Sequence, residues 1–245
     1  MSGELRVLPV EGLPEVTEGM EVGALIGERM ALEDGDVVVI SQKIVSKAEG
    51  RLRRLAEVEP SKKALDLGDK LGKEAALVEL ILSESREILR AERGVLITET
   101  HHGFVCANAG IDSSNLPDDG TVCLLPADPD ASARAIRAEL AGLVAVVIAD
   151  SFGRAWRLGQ AEVAIGCAGL TPLDDWRGRE DASGRPLEAT AIAVADEAAA
   201  AADLVRDKAS RVPAAVIRGL SRYVTAEDGP GAAALLRPRS EDLFR

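Results

Sequence analysis

Two segments of this chain set a carboxylate beside glycine and small polar residues where an apolar run ends. The first is Asn108-Ala109-Gly110-Ile111-Asp112-Ser113-Ser114-Asn115; the second is Val146-Val147-Ile148-Ala149-Asp150-Ser151-Phe152-Gly153-Arg154. Hard divalent cations take carboxylate, hydroxyl and carbonyl oxygens, and magnesium commonly uses one or two carboxylates and completes its shell with substrate phosphates and water. Asp112, Asp150 and the Ser151 hydroxyl would make such a site if the strand ends converge. The plainer alternative is that each Asp caps a turn, and spacing alone does not separate the two. A third segment, Ser41-Gln42-Lys43-Ile44-Val45-Ser46-Lys47-Ala48-Glu49-Gly50-Arg51, puts hydroxyls, an amide and cations behind an apolar run. That combination can hold phosphate, or it can be a solvated basic turn. Arg154, Arg157 and Arg218 are further anion contacts or partners for the many acids.

Other chemistries find little material. No G-x-x-x-x-G-K-[ST] or G-x-G-x-x-G stands in the chain, so a nucleotide must be held by another device. There is no G-x-S-x-G, and both histidines are adjacent at His101 and His102, which leaves nothing for a dispersed Ser/His/Asp triad. Cys106, Cys123 and Cys167 lack C-x-x-C spacing and read as buried thiols rather than zinc ligands or a disulfide framework.

Periodicity gives the elements that must carry these residues. Leu5 to Val10 reads as a strand and Val22 to Met30 as a helix. Val37 to Ile40, β-branched throughout, reads as a buried strand. Ser61 to Arg90 reads as a helical hairpin, interrupted near Gly72 and N-capped by Ser61. Strands are expected at Gly94 to Thr100, Phe104 to Ala107 and Thr121 to Leu125. Then come a helix from Asp130 to Leu140 and the strongest strand, Leu143 to Ala149. After a Gly-rich stretch, Glu188 to Val194 reads as a strand, Asp196 to about Lys208 as an Ala-rich helix, and Ala214 to Ile217 as a last core strand. Helices and strands mix without strict alternation, which favours an α+β class. The best candidate for a smaller unit is roughly 60–130, inside a single 1–245 unit.

Composition narrows the partners. The chain has 245 residues with a formal charge of −12, and only 2% of them are aromatic. Its field therefore repels phosphate backbones and anionic membranes, and it offers few rings for stacking bases, so neither nucleic acid nor membrane is expected as a partner. No apolar run approaches the roughly 18 residues of a spanning helix, and no signal peptide opens the chain, so a cytoplasmic location is expected.

Taken together, Pro9-Val10-Glu11-Gly12-Leu13-Pro14, the segments SQKIVSKAEGR and NAGIDSSN, and ADSFGRAWRLGQ followed by AIGCAGL resemble the coenzyme F420-0:γ-glutamyl ligase family. The likeness runs in order from about residue 5 to 220. It implies a two-domain α+β fold, with mixed and antiparallel sheets flanked by helices, in an intertwined homodimer. It also implies a GTP-dependent ligase that joins L-glutamate to coenzyme F420-0 and extends a γ-linked tail. Mg²⁺ or Mn²⁺, as two ions, is implied as cofactor, with K⁺ a possible addition. Carried over by position, Glu11, Gly12, Leu13 and Pro14 resemble a first GTP loop, and Ser41, Gln42 and Lys47 a second. Asn115 resembles a nucleotide contact, Asp112 a metal ligand, and Asp150 with Ser151 a second metal pair. The acidic metal ligand that relatives carry after the Ala-rich helix is replaced here by Arg206-Asp207-Lys208-Ala209-Ser210, and nothing is assigned there. No reductase-like domain is found after the ligase unit, so flavin is not expected.

Such a reaction needs positioning and charge neutralisation more than a protein nucleophile. A metal-dependent nucleotidyl or phosphoryl transferase, or a non-catalytic GTP sensor, could use the same carboxylates.

Overall fold

The computed structural model describes residues 3–114, 116, 118–206 and 210–244. In chain order its elements are β1 (Arg6–Pro9), α1 (Val22–Arg29), β2 (Val37–Ser41), α2 (Gln42–Ala48), β3 (Leu52–Arg54), α3 (Lys62–Leu71) and α4 (Ala75–Ser83). Next come β4 (Ser85–Glu92), β5 (Val95–Thr100), β6 (Val105–Ala107), β7 (Thr121–Cys123), α5 (Pro129–Glu139), β8 (Ala145–Gly153) and β9 (Gln160–Ala168). The last are β10 (Asp174–Asp175), β11 (Ala191–Ile192), α6 (Val194–Asp203) and β12 (Ala214–Arg218).

A five-stranded sheet in the order β1-β12-β2-β8-β9 organises the molecule. β2 and β8 are parallel, while β12 is antiparallel to both β1 and β2, so β1, β2 and β8 all point the same way. The β-branched run of β2 is buried on both faces. Val38 and Ile40 pack with Val22 and Ile26 of α1, Ile44 and Val45 of α2, and Ala133 and Ile136 of α5. Val37 and Val39 pack on the other face with Ala195, Ala198, Ala199 and Ala202 of α6. A strand with no polar side reads as an unbroken apolar run, which is why β2 and β8 are conspicuous in the sequence. The alanines of α6 let that helix lie close on the sheet.

β9 carries a bulge. Ile148 of β8 faces Gly166, but Ala149 faces Ala164, so Ile165 is the extra residue. Beyond it, Asp150 lies opposite Val163 and Ser151 opposite Glu162. Gly166 is the point where α5 presses on the sheet. A Cβ there would lie 2.2 Å from the Pro129 carbonyl oxygen, a backbone atom that cannot swing aside. We expect Gly166→Ala to cost about 1–3 kcal/mol through this overpacking, read as a lowered melting temperature.

Residues 52–124 pack about apolar clusters of their own. One joins Ala64, Leu71, Val78, Ile81, Leu96 and Ala109; another joins Leu55, Ala76 and Val122. Two small sheets, β3-β7 and β4-β5-β6, belong to this region. It leans on the main sheet through Phe104, whose ring meets Phe152 of β8 edge-on at 6.2 Å.

The expected elements differ from the fold in specific places. Ser61 does cap α3, accepting from the Ala64 N–H at 3.3 Å, and Gly72 ends that helix in the left-handed conformation. The helical hairpin, however, stops at Ser83, and Ser85–Glu92 is a strand. Arg93 and Gly94 both take positive φ, 52° and 74°, in the two-residue turn between Glu92 and Val95. That turn geometry ties 85–92 to β5 and overrides the helix preference of Glu, Leu, Arg and Ala. The strand expected at Glu188 to Val194 shrinks to Ala191–Ile192. β9 has no counterpart among the expected strands, and β8 runs four residues past Ala149. All three cysteines are buried and unbridged. Among the described residues no helix is long and apolar enough to cross a membrane.

Candidate active site

Because β1, β2 and β8 run in the same direction, the chain leaves all three at one edge of the sheet. Val10 N–H donates to the Ala214 carbonyl at 2.9 Å, Ser41 N–H donates to Pro213 at 2.8 Å, and Ser41 lies beside Ala149. The loop Glu11–Pro14, the Ser41-Gln42 junction and Asp150-Ser151 are therefore neighbours along that edge. Clefts beyond the carboxyl ends of parallel strands are where α/β sheets bind ligands.

In the first loop Glu11, Gly12 and Pro14 are exposed, and Leu13 anchors the turn by packing on the cluster around Val10 and Val16. Gly12 has φ 73°, which a side chain would strain. The basic segment proves to be a helix, α2, rather than a turn. Its Gln42 is buried, and Gln42 Oε1 accepts the Ser46 hydroxyl at 2.9 Å, so the amide oxygen is engaged inside the helix. Lys47 is also buried along its stem, and its Nζ reaches out to the exposed Glu15 at 2.5 Å.

Asp112 comes from the smaller region but is tied to α2. It exchanges backbone hydrogen bonds with Cys123, at 3.0 and 2.8 Å, and Cys123 pairs with Leu52, just beyond α2. Lys43 Nζ then meets Asp112 Oδ2 at 2.8 Å and the Ser114 carbonyl at 2.7 Å, while Asp112 Oδ1 accepts the Ser114 N–H at 2.7 Å. Asp112 thus caps a turn and pairs with a cation at once. Burial pushes its carboxyl up, but hydrogen bonds and charge from Lys43 with the Ser114 bonds outweigh this and leave it below the usual value of 3.8. A lowered pKa means that this contact contributes fully above the usual carboxylate range and is lost only as pH falls through the depressed value. We expect Lys43→Met to leave burial opposed by the Ser114 bonds alone and so raise the Asp112 pKa, measurable by carboxyl ¹³C NMR titration.

Asp150 and Ser151 sit on β8, and strand alternation sends them to opposite faces. Asp150 shares the side of Ile148 and Phe152, the side on which α2 and β6 pack. Burial pushes the nearby Cys106 thiol up to about 12, and the Asp150 charge adds to the effect. Asp112 and Asp150 therefore lie on the same side of the sheet. Ser151 turns to the α6 side, where its hydroxyl donates to Glu162 Oε1 at 2.5 Å. Glu162 Oε2 in turn accepts from Arg206 at 3.1 Å, with both side chains almost fully buried. Asn115, Asp207, Lys208 and Ala209 lie outside the described residues.

The chain matches the family described as F420-0:Gamma-glutamyl ligase over residues 12–219. It is 47% identical to a coenzyme F420:L-glutamate ligase of Methanothermobacter thermautotrophicus, covering 98% of this chain and 99% of that protein. A protein of the same name from Methanopyrus kandleri is 44% identical, over 98% of each chain, and one from Archaeoglobus fulgidus is 42% identical, over 98% and 96%.

The chain belongs to the F420-0:γ-glutamyl ligase family.

In this family member the oxygen donors at the sheet edge are of the hard kind that suits Mg²⁺ or Mn²⁺. Among the described residues no group of three or more His, Cys, Asp or Glu forms a metal centre. Asp112 and Asp150 are the residues at this edge that could hold such an ion by their carboxylates. Three residues of this edge, Lys43, Glu162 and Arg206, escape assignment from sequence. An acid inside the otherwise apolar alternation of 161–165 is a readable signal, since a buried charge demands a partner. Nothing local names Arg206 as that partner.

Proposed function

We propose that the chain is a GTP-dependent ligase that adds L-glutamate to coenzyme F420-0 and extends a γ-linked polyglutamate tail. The observation that supports this most directly is the 47% identity, across nearly the whole of both chains, with a protein named for that ligation. In this reading Glu11, Gly12, Leu13 and Pro14 with Ser41, Gln42 and Lys47 form the GTP site. Asp112 and Asp150 on one side of the sheet, and Ser151 on the other, would hold Mg²⁺ or Mn²⁺ as two ions rather than one. The two-domain arrangement and the homodimer belong to the same reading.

An oxygen of the F420-0 carboxylate attacks the γ-phosphorus of GTP and GDP departs, leaving an acyl phosphate. The amine of glutamate then attacks the acyl carbon, the carbon–oxygen bond to phosphate breaks, and the nitrogen loses a proton. When bound, a divalent ion supplies charge neutralisation to the phosphates. The chain's own part is positional. Lys47, its stem buried and its ammonium now on Glu15, offers a cation that a phosphate can take in place of that carboxylate. Lys43 holds the Asp112 turn against α2. Leu13 pins the first loop to the apolar cluster and so sets where Glu11 and Gly12 stand. In a chain of net charge −12 these local cations are what admit anionic substrates.

The test is to incubate the purified protein with F420-0, L-glutamate, GTP and Mn²⁺, then to weigh the products and assay the nucleotide. Glutamylated F420 with GDP and phosphate is the expected outcome. Pyrophosphate release would point to nucleotidyl transfer, and GTP binding without glutamate-dependent turnover would point to a sensor.

A further inference from the structure

Behind Ser151 lies a buried ion pair whose placement invites a functional account. The side chains of Arg206 and Glu162 are 5% and 7% exposed, one three residues past the end of α6 and the other on β9. A buried pair of this kind is weak as a stabiliser, because apolar residues of similar volume serve as well or better. What distinguishes this pair is the third member. One Glu162 oxygen takes the guanidinium hydrogen bond at 3.1 Å, and the other takes the Ser151 hydroxyl at 2.5 Å. Arg206 is itself fixed by a second bond, to the Pro213 carbonyl at 3.3 Å, next to the residue that receives Val10 at the sheet edge.

We propose that Glu162, braced by Arg206, is a positioning residue that accepts the hydrogen bond of the Ser151 hydroxyl and thereby fixes the Ser151 oxygen as a donor toward a divalent ion carried by the nucleotide. The proposal rests on the reading of this edge as a metal–GTP site. A serine hydroxyl has one proton and two lone pairs. With the proton directed at Glu162, what the oxygen can offer elsewhere is electron density, the requirement for meeting a cation. Without an acceptor behind it the hydroxyl rotates and can turn its proton toward the ion. Residues that orient a metal's ligands in this way are worth about 10–100-fold in metal affinity. Glu162 would act through Ser151 and need not touch substrate itself.

The test is a titration of Mn²⁺ into the full-length protein with a non-hydrolysable GTP analogue, followed by electron paramagnetic resonance of free Mn²⁺. The main variant is Glu162→Leu with Arg206→Leu, which leaves no lone charge in the interior. It should weaken Mn²⁺ about 10–100-fold, and adding Ser151→Ala to it should cost nothing more. Raised Mn²⁺ should restore its turnover, a response that mere destabilisation would not give. If the paired variant fails to fold, Glu162→Gln serves instead. Its neutral amide holds the hydroxyl less firmly, and a several-fold loss is expected. Mn²⁺ binding as tight as that of the unmodified protein, or a loss that simply adds to that of Ser151→Ala, overturns the role of Glu162 and leaves the site reading standing. Failure of the unmodified protein to bind Mn²⁺ with the analogue would overturn both.

Discussion

Replacing Asp150 with alanine is expected to lower glutamate ligation about 10²–10³-fold while the protein stays folded. The carboxylate stands on β8 three residues before its end, half-buried, outside the apolar clusters that hold the sheet. Removing it leaves no core cavity. In the proposed reaction it is one of two carboxylates that meet the ion neutralising the transferred phosphoryl group. Losing a preorganised charge contact of that kind costs roughly 3–4 kcal/mol in the transition state, and each 1.36 kcal/mol or so is tenfold in rate. Initial rates at saturating Mn²⁺, set beside circular dichroism melts of the two proteins, decide the matter. A variant that turns over as fast as its parent would remove Asp150 from the mechanism.

The second large effect is on stability. Arg206→Leu alone strands the Glu162 carboxylate, 7% exposed, without its counter-ion. Breaking a buried pair from one side costs about 3–5 kcal/mol, which for a chain of this size lowers the melting temperature by about 2–4 °C per kcal/mol. Adding Glu162→Leu to the same chain should return most of that loss, since the stranded charge is then gone. Differential scanning calorimetry of the single and paired variants separates the two. If the single change is harmless, the interior near β9 is wetter than its geometry indicates.

The sequence makes some of this architecture legible for definite reasons. Val37 to Ile40 and Val144 to Ala149 are unbroken apolar runs because their strands are covered on both faces. Ser61 and Gly72 mark the ends of α3 by chemistry that works locally. Where the decisive interaction is distant, the reading fails. Ser85–Glu92 has the composition of a helix and is a strand because a two-residue turn pairs it with β5. β9 is missed because its small residues, with one glutamate among them, give neither a strict alternation nor an unbroken β-branched run until β8 is set beside it.

The candidate site divides along the same line. Asp112, Asp150 and Ser151 stand out as oxygen donors at the ends of apolar runs, yet the sides that Asp150 and Ser151 take depend on β8 continuing past Ala149. Lys43 stands in a segment plainly rich in cations, but its bond to Asp112 is a property of how the smaller region docks. Glu162 and Arg206, 44 residues apart, meet only because α6 returns along the sheet.

Ile165, the supernumerary residue of β9, sets the phase of everything toward the hairpin tip. Were the ladder to run on unbroken from the pairing of Ile148 with Gly166, each partner beyond it would be displaced by one place. Val163 would then confront the serine, and the acid would slide across to Phe152. The proton acceptor is thus a matter of alignment as much as of composition: the same letters, laced together one step out, would hand that hydroxyl a methyl group instead.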